Sequence, residues 1–572
     1  MCLRREMPSM FRNLSNRMTA PRLARILAII GTVVAIYLHI LFGMNAGALW
    51  RDEVSTLEVA TMRTFAEMWA NLSFESFPAL FFVILRFFAG VPASVSDGSL
   101  RVFGTAIGLL VLFAVWLNAR WLRLGVPLIT LALIGFNPMV IRYGDSIRAY
   151  GLGIFLALLT IGAMWRLIES FTLPRVIVAL VIAVLSVQSV YYNAVLLFAL
   201  CLTAATVTLR RRQIVQALTV LAIGGLAAAS LLPYIPTMQR VRSYSFMWQE
   251  TFTVSGVWTK AAETLGSPLP FGGWFWLILL TTAVVIGLWA ALRTPAPTDD
   301  VANHDRLLFA LMALFLGAIC YAGFLRVLNY STKPWYFVTF VAFAATCIEM
   351  IFSSVGRKEK ALLARSVCAL LLMGVSFVPA LQGLEGRQTN ADIIAARLTR
   401  TATQDDLVVI NPFIYGISFR RYYHGVAPYV TLPPMKDLRT HRVDLAKQQM
   451  MSAQPIAPVL RRMAEVLHAG HTVWLIGGLN YVPPGRQPFS IPPGSADNYY
   501  AYYAAWSEQA SFFVQTHSKT LAPLPVPCDQ PVVRYEDVPL TAIRGWRSGP
   551  GRLEVLKTSA PRLSDPINPS LP

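Results

Sequence analysis

The sequence has few charged residues and no cysteine framework. Asp, Glu, Lys and Arg make up 14% of the 572 residues, whereas a soluble chain carries about 25%, so an ordinary soluble enzyme is excluded. Aromatic residues at 12% and 36 prolines exclude a disordered chain or a coiled coil. The six cysteines show neither disulfide spacing nor a metal knuckle. No nucleic-acid-binding motif is present, so the net charge of +19 requires another explanation.

Apolar runs of about 20 residues, the length that a helix needs to cross a bilayer, recur along the first two thirds of the chain. They predict a polytopic α-helical membrane protein with about eleven spans. A shorter run, 77–92, carries Arg86 in its middle, and we predict that it forms a half-span that does not cross. The predicted spans are 22–44, 101–119, 125–142, 150–168, 176–192, 193–209, 214–233, 272–292, 307–325, 334–353 and 361–381.

Basic residues cluster at alternate ends of these runs, which explains the net charge. Cytoplasmic loops of membrane proteins are rich in Lys and Arg, and with eleven spans all five basic clusters fall on the side of the N-terminus. We therefore predict an integral, multi-pass protein of the plasma (inner) membrane with a cytoplasmic N-terminus. The clusters are Arg120/Arg123, Arg166/Arg175, Arg210/Arg211/Arg212, Arg293/Arg306 and Arg357/Lys358/Lys360/Arg365.

The chain changes character after residue 381. Short β-rich runs alternate there with helical ones, which is typical of an α/β domain. We predict a membrane domain over 1–381 and a small α/β domain over 382–572, placed outside the cytoplasm in the periplasm or the extracellular space. The β-rich runs are Leu407–Ile410, Tyr429–Leu432 and Thr472–Ile476, and the helical ones are Ala391–Thr401, Pro455–Ala469 and Asn498–Phe513.

Three short motifs on the predicted outer side contain residues able to do chemistry. Asp52 and Glu53 follow the first span, 76–82 opens the half-span just after Glu75, and 142–150 joins two spans. Each has an ordinary alternative. Acidic residues favour helix N-termini, aromatic residues form interfacial belts, and a polar turn can simply hold a salt bridge. Ionisable residues between apolar runs are nevertheless costly and are often functional.

Taken in this order, the three motifs resemble the GT-C superfamily of membrane glycosyltransferases. The resemblance is to the protein mannosyltransferase and aminoarabinose transferase branch, including the bacterial RgtA/B/C/D-like group. It covers roughly residues 20–340 by element order and implies a GT-C-like fold. The positions that match the family's Asp-Glu, His-Pro-Pro-Leu-Tyr-Tyr and Tyr-Ser-Gln-Glu-Ala-Arg-x-Tyr motifs are Asp52 and Glu53, then Pro78 and Leu80, then Tyr143, Arg148 and Tyr150.

The chain departs from the family's motifs at two positions that matter for chemistry. Phe77 stands where the family has His, and Ser146 stands where it has an acid. Asp145 or Glu75 could take the place of that acid. Tyr143, Asp145, Tyr150 and Glu75 are therefore the candidate substrate-binding residues.

The resemblance implies transfer of a hexose or pentose from a polyprenyl-phosphate donor to a lipid, glycan or protein acceptor outside the cytoplasm. Asp52 and Glu53 are the candidate catalytic residues, with Asp52 as the base. We expect the adjacent charge of Glu53 and partial burial to raise the pKa of Asp52. No general acid is needed, because a lipid phosphate is already a good leaving group.

Three basic residues are candidates for binding the donor phosphate. Arg148 is the first, because a guanidinium binds phosphate oxygens bidentately. Arg326 and Lys333 could complete a cationic ring, or could simply snorkel at the membrane interface. We expect Lys333, just before a proline at a helix start, to be more hydrated than Arg148.

The partners predicted are therefore the lipid bilayer, a polyprenyl-phosphate sugar and an acceptor, with no nucleic acid. No cofactor is expected. Asp52, Glu53 and a lipid phosphate could hold a divalent cation through oxygen atoms, but we do not expect a required metal. The alternative function is a flippase or transporter of a lipid-linked glycan without transfer chemistry, a class in which inverted repeats and broken helices are common.

Overall fold

The computed structural model describes residues 19–91, 95–266, 272–292, 301–355, 359–495, 498–548 and 554–555. Residues 1–18, with four arginines of the basic N-terminal segment, lie outside the described residues. Within them, nine helical stretches are long and apolar enough to cross a membrane, and the protein is a polytopic helical membrane protein. These stretches are Ala20–Asn45, Asp97–Trp121, Tyr150–Glu169, Asn193–Arg210, Ile214–Arg242, Gly273–Leu292, Val301–Leu328, Val338–Val355 and Glu359–Leu384.

The predicted span 125–142 is wrong as a single helix. It forms two short helices, Leu128–Gly135 and Pro138–Gly144, which we call the broken segment. The Asn137 side chain accepts hydrogen bonds from the backbone N–H of Met139 and Val140, so it caps the second helix, and Pro138 occupies its first turn. The first helix therefore ends at this point.

One more apolar helix, Leu173–Ser189, has 17 residues, which gives a length of about 26 Å. This helix and the broken segment fall within two of the eleven predicted spans but are not among the nine long apolar helices of the described residues. The predicted half-span is the helix Leu80–Ala89, whose 10 residues extend about 15 Å, half of a bilayer core. Arg86 Nη1 donates to the carbonyl of Ala60 at 3.0 Å, so this arginine is held by neighbouring backbone. Residue 92 lies outside the described residues.

The basic loops meet at one end of the bundle. Arg123 pairs with Glu169 at 3.0 Å, and Arg211 pairs with Asp305 at 2.7 Å. Arg306 donates to the carbonyl of Leu122 at 2.9 Å. The described members of the basic clusters thus share one end of the bundle, as the charge pattern predicts, whereas Arg293, Arg357 and Lys358 lie outside the described residues.

A six-stranded mixed sheet lies at the other end of the bundle, in the order β2-β1-β3-β5-β4-β6. Strands β2, β1 and β3 are parallel, and β5 runs antiparallel to β3 and β4. The first three strands confirm the predicted β-rich runs, and the others were not predicted. The strands are β1 Leu407–Asn411, β2 Tyr429–Thr431, β3 Thr472–Gly477, β4 Ser518–Leu524, β5 Leu540–Trp546 and β6 Glu554–Val555.

Helices cover both faces of this sheet, so strand β1 is buried along its whole length. Leu407 and Val409 face one hydrophobic cluster, and Val408 and Ile410 face the other, with the two-residue alternation of a strand. We call this part, from residue 387 onward, the sheet region. Its helices are Ala391–Thr401, Tyr415–Tyr422, Val443–Met450, Ala457–His468 and Tyr499–His517.

Short helices lie between the bundle and the sheet region. They position the polar loops that the sequence singled out. Their bounds are Arg51–Ala60, Phe65–Asn71, Ile235–Arg242 and Val254–Gly266, with single 3-10 turns at Leu72–Phe74, Leu232–Tyr234, Ser245–Trp248 and Pro334–Tyr336.

Candidate active site at the start of helix 51–60

Asp52 and Glu53 lie in the first turn of the helix Arg51–Ala60, which follows the first span directly. The Glu53 carboxylate accepts a hydrogen bond from the backbone N–H of Trp50 at 3.3 Å, which satisfies one free donor of the helix start. Successive side chains on a helix point about 100° apart. The two neighbouring carboxylates therefore face different surroundings.

Glu53 faces inward and is fully paired. Its Oε1 lies 2.6 Å from Arg101 Nη1 and its Oε2 lies 2.9 Å from Arg101 Nη2. The backbone N–H of Ile147 donates to Oε1 at 3.0 Å, and the Glu53 residue is 0% exposed. These contacts favour a structural role for Glu53 over the predicted catalytic one, because both of its oxygens are already paired. A cation held by Asp52 and Glu53 together would have to compete with Arg101 for the Glu53 oxygens.

Asp52 faces outward, and its side chain is 16% exposed. His441 Nε2, from the sheet region, lies 3.3 Å from Asp52 Oδ1, and Arg51 Nε lies 3.6 Å from the same oxygen. Burial alone would raise the pKa of Asp52. The hydrogen bond from His441, with the nearby charges of Arg148 and Arg51, outweighs burial and lowers this pKa below its ordinary value. The expected rise in this pKa is wrong, since Glu53 is neutralised elsewhere and cations surround Asp52.

Glu75 and Arg148 form a buried ion pair beside Asp52. Arg148 Nη1 lies 2.5 Å from Glu75 Oε2 and also donates to Thr56 Oγ1 at 2.7 Å and to the Asp52 carbonyl at 3.2 Å. Ser55 Oγ donates to Glu75 Oε1 at 2.5 Å. Burial would raise the pKa of Glu75, but the charge of Arg148, together with the hydrogen bond and charge of His441 and the hydrogen bond from Ser55, outweighs burial and lowers the pKa. We call Asp52, Glu75, Arg148 and His441 the Asp52 cluster.

Arg148 is less available to a phosphate than its sequence position suggested. Its charge is compensated by Glu75, it is 5% exposed, and its guanidinium lies over the Phe77 ring at 4.7 Å. Phe77 thus supports the arginine by a cation–π contact. These contacts are typical of a side chain that shapes a site.

Two of the predicted substrate-binding residues form an aromatic wall next to the cluster. Tyr150 contacts Phe77 edge to face, with ring centroids 5.0 Å apart, and Tyr143 lies 6.0 Å from Tyr150. Tyr143 also lies 5.2 Å from Trp335, which connects this wall to the loop of Lys333.

Asp145 does not join the cluster. Its Oδ1 lies 2.7 Å from His39 Nδ1 of the first span, and the residue is 1% exposed. Its pairing with His39 favours a structural role for Asp145 over the predicted contact with substrate. Glu75 is the acid that stands beside Asp52.

Lys333 lies in a cationic environment near the cluster. It is 8% exposed and Arg148 is 5% exposed, so Lys333 is slightly the more exposed of the two, as expected, although both side chains are buried. Burial, and then the charge of Lys260, lower the pKa of Lys333 to about 8, while Glu250 opposes them. The charges of Arg51 and Arg534 act in the same direction as Lys260. Lys260 and Arg534 are themselves paired with carboxylates, Glu250 at 2.7 Å and Glu263 at 2.5 Å, so Lys333 is a buried cation among ion pairs.

The Lys333 loop is packed against the start of the Asp52 helix. Trp335 lies edge to face with Trp50, with ring centroids 5.9 Å apart, which brings the segments of Lys333 and Asp52 together. Arg326, by contrast, is exposed at the end of its span and lies over the Phe252 ring at 5.9 Å. The segments of Lys333 and Arg51 thus pack together, whereas Arg326 lies at the exposed end of its span.

Sequence reasoning missed His441. It is a single histidine between Thr440 and Arg442 in an irregular segment, and no spacing marks it. Its Nδ1 lies 4.0 Å from Glu75 Oε1, so its two ring nitrogens face two different carboxylates. Within the described ranges, no group of three or more His, Cys, Asp or Glu side chains is arranged to hold a metal ion.

Glu536 is a second contribution of the sheet region that the sequence did not reveal. Its Oε2 accepts from the backbone N–H of Arg51 at 2.9 Å, and Ser418 Oγ donates to its other oxygen. Burial raises the pKa of Glu536 to about 7, against the charge of Arg51. The sheet region is therefore anchored at the residue next to Asp52.

No protein-family model matches the chain, and no curated protein matches it. Among solved structures, ArnT from Cupriavidus metallidurans bound to undecaprenyl phosphate aligns with a TM-score of 0.46 and 12% sequence identity, over 78% of this chain and 92% of that chain. ArnT from the same organism in the apo state aligns with a TM-score of 0.46 and 14% identity, over 79% and 92%.

Proposed function

We propose that this protein is a membrane glycosyltransferase that moves a sugar from a polyprenyl-phosphate donor to an acceptor hydroxyl, with Asp52 as the base. The observation that carries the proposal is the position of Asp52. It is an ionised, partly exposed carboxylate next to Arg51, and the charge of Arg51 also acts on the buried Lys333. A base for the acceptor and a cation for the leaving phosphate are the two groups that this transfer needs.

The reaction is a single displacement. The acceptor oxygen bonds to the anomeric carbon while the bond from that carbon to the phosphate oxygen breaks. The acceptor proton passes to Asp52, and the bonding electron pair leaves with the polyprenyl phosphate. The lowered pKa keeps Asp52 ionised at neutral pH, so it is in the form that accepts a proton. Lys333 and Arg51 then stabilise the charge that grows on the phosphate.

An apolar cavity supports a lipid-linked donor over a soluble one. It has a volume of about 680 Å³ and lies between the broken segment, the helix Val254–Gly266 and the last span. On its wall, Leu371 and Val375 are 63% and 46% exposed, so the cavity opens toward the acyl chains. We propose that it holds part of the isoprenoid chain.

Hydrogen bonds connect the wall of this cavity to the loop that carries Lys333, the proposed phosphate ligand. Asn137, which lines the cavity, donates to the Thr264 carbonyl at 2.9 Å. Thr264 Oγ1 donates to the Pro334 carbonyl at 2.9 Å, and Pro334 follows Lys333 in the chain. A lipid in the cavity can therefore present its phosphate near Lys333.

The test is the Asp52→Asn variant, purified in nanodiscs and assayed with polyprenyl phosphates that carry a hexose or a pentose. Asn keeps size and hydrogen bonding but cannot take the proton, so we expect turnover to fall by about 10²–10⁴-fold. Glu58→Gln is the matched control. It removes a carboxylate from the same helix, one that pairs with Arg420 at 2.9 Å, and should leave turnover near that of the wild type. Wild-type turnover in Asp52→Asn would remove the assignment, and lipid-glycan translocation without transfer would favour the flippase.

We also propose that the Asp52 cluster and the sheet region face the outside of the cytoplasm, with 1–381 as the membrane domain and 382–572 as the outer domain. The basic loops at the opposite end of the bundle support this orientation. Reporter fusions at residue 390 should be active only outside the cytoplasm. A fusion that reacts only inside it would reverse the orientation.

A further inference from the structure

A short segment of the sheet region, residues 437–442, covers the Asp52 cluster. Arg439 Nη1 lies 4.0 Å from Glu67 Oε1, and the Arg442 guanidinium lies over the Phe74 ring at 5.2 Å. Asp437 Oδ2 pairs with both arginines, at 3.1 and 2.9 Å, so the segment is braced by its own charges. It contacts the polar loop between the first span and the half-span on both sides of His441.

His441 is the one described residue of this segment that reaches both carboxylates of the cluster. Its Nε2 is within hydrogen-bond reach of Asp52, and its Nδ1 is within ion-pair distance of Glu75. A neutral imidazole has one N–H, whereas the protonated ring has two. Only the protonated form can therefore direct an N–H toward Asp52 and Glu75 at once.

This geometry leaves Asp52 with two unequal oxygens. His441 Nε2 at 3.3 Å and Arg51 Nε at 3.6 Å both face Oδ1, and the side chain is 16% exposed. A carboxylate fixed through one oxygen is oriented for proton transfer at the other, provided that its partner is itself held in place. The braced segment 437–442 supplies that support.

We propose that the segment 437–442 completes the active site and that His441 is a positioning residue, which fixes the Asp52 carboxylate through Oδ1 and so sets its basicity. The proposal rests on the proposed function for its kinetic consequence, but the contact itself can be tested without activity. The sheet region then contributes a residue to the active site in addition to covering it.

Asp52 and Glu75 are the charged groups that act most strongly on His441. Burial lowers its pKa, but the hydrogen bond and charge of Asp52 and the charge of Glu75 outweigh burial and raise the pKa to about 9. His441 is therefore protonated at neutral pH. The facing groups are Arg51 and Asp52 on their helix, Glu75, Arg148 on its turn, and Asp437, Arg439, Arg442 and Asp444 beside His441.

The kinetic test is the pH profile of kcat/KM for His441→Gln. Loss of the imidazolium removes a charge that holds the pKa of Asp52 low, so the acidic limb of the profile should move to higher pH by about one to three units. His424→Gln is the control, because His424 is an exposed histidine of the same region, and its profile should match the wild type. A reduced rate with an unmoved acidic limb would mean a purely structural role and would overturn the proposal, as would an unchanged variant.

The second test uses thermal unfolding and does not depend on catalysis. The pKa of His441 is raised on folding, so its contribution is complete below the unfolded value of about 6.5 and is lost as the pH rises through about 9. The melting temperature of the wild type should therefore exceed that of His441→Gln most at pH 6, and the difference should shrink toward pH 10. A pH-independent difference overturns the ionic contact. Transfer activity that is absent even in the wild type, together with a pH-dependent difference, would refute the proposed function alone.

Discussion

The two sides of the helix that starts at Arg51 show how one acidic pair serves two purposes. On the inner side, Glu53 is enclosed with Arg101 and every carboxylate oxygen is paired. On the outer side, Asp52 keeps exposed surface and faces cations that outnumber it. A buried carboxylate whose oxygens are all paired has a structural role, because removing its partner would leave a buried charge uncompensated. A carboxylate that is only partly paired and partly exposed can still take part in a reaction.

The turn 145–148 connects the two sides. Asp145 pairs with His39 below it, the backbone N–H of Ile147 donates to Glu53, and Arg148 pairs with Glu75 above it. Three successive contacts thus run from the membrane interior to the site. The sequence marked this turn as a candidate substrate-binding and phosphate-binding segment. In the structure its main contacts hold Glu53 and Glu75 in position.

The largest expected effect comes from removing the partner of Glu53 on the inner side of the helix. Arg101→Ala leaves Glu53 buried without its partner, and breaking a buried ion pair in this way costs about 3–5 kcal/mol. We expect a large fall in the melting temperature of the purified protein, or failure to accumulate in membranes. Arg123→Ala is the control, because Arg123 is 70% exposed in its ion pair with Glu169 and such pairs contribute little. Equal stability of the two variants would show that the inner side is not structural.

On the outer side, we expect substitution of Lys333 to change the affinity for the donor more than the stability of the protein. Lys333→Ala removes a buried cation from the proposed phosphate site, and a hydrogen bond to a charged group contributes about 1.5–3 kcal/mol, so donor affinity should fall by about ten- to a hundredfold. Arg326→Ala should change it little, since Arg326 is exposed over Phe252. Donor binding to each variant in nanodiscs measures this, and a larger loss for Arg326 would move the phosphate site outward.

This ranking differs from the one that the sequence alone suggests. A guanidinium between two spans looks like the strongest phosphate ligand, but Glu75 already neutralises Arg148. Sequence separation hides that pairing, because Glu75 and Arg148 are 73 positions apart. Arg148→Ala should therefore lower stability, by leaving Glu75 buried without its partner, and a loss of donor affinity in a fully stable protein would restore Arg148 as a phosphate ligand.

Other features could have been predicted from local rules, and some could not. The spans, the half-span and the first three strands follow from hydrophobic runs and alternation. The break at Asn137-Pro138 carries a local signal, since Asn is a good cap and Pro is favoured in the first turn of a helix. The burial of Lys333 and the position of His441 next to Asp52 depend on packing between segments that are distant in the sequence. No local sequence pattern indicates either of them.

The smallest expected effect is a change of donor affinity with pH, which arises on the outer side from the titration of Lys333. Lys333 has its pKa lowered to about 8 by burial and neighbouring cations, so its charge is present below that pH and is lost as the pH rises through it. Bound phosphate stabilises the charged form, and donor affinity should therefore decline above pH 8, by at most about tenfold for each pH unit because one proton is involved. Lys333→Arg, which stays charged, should flatten this decline. An identical decline in Lys333→Arg would assign the titration to another group and separate Lys333 from the phosphate.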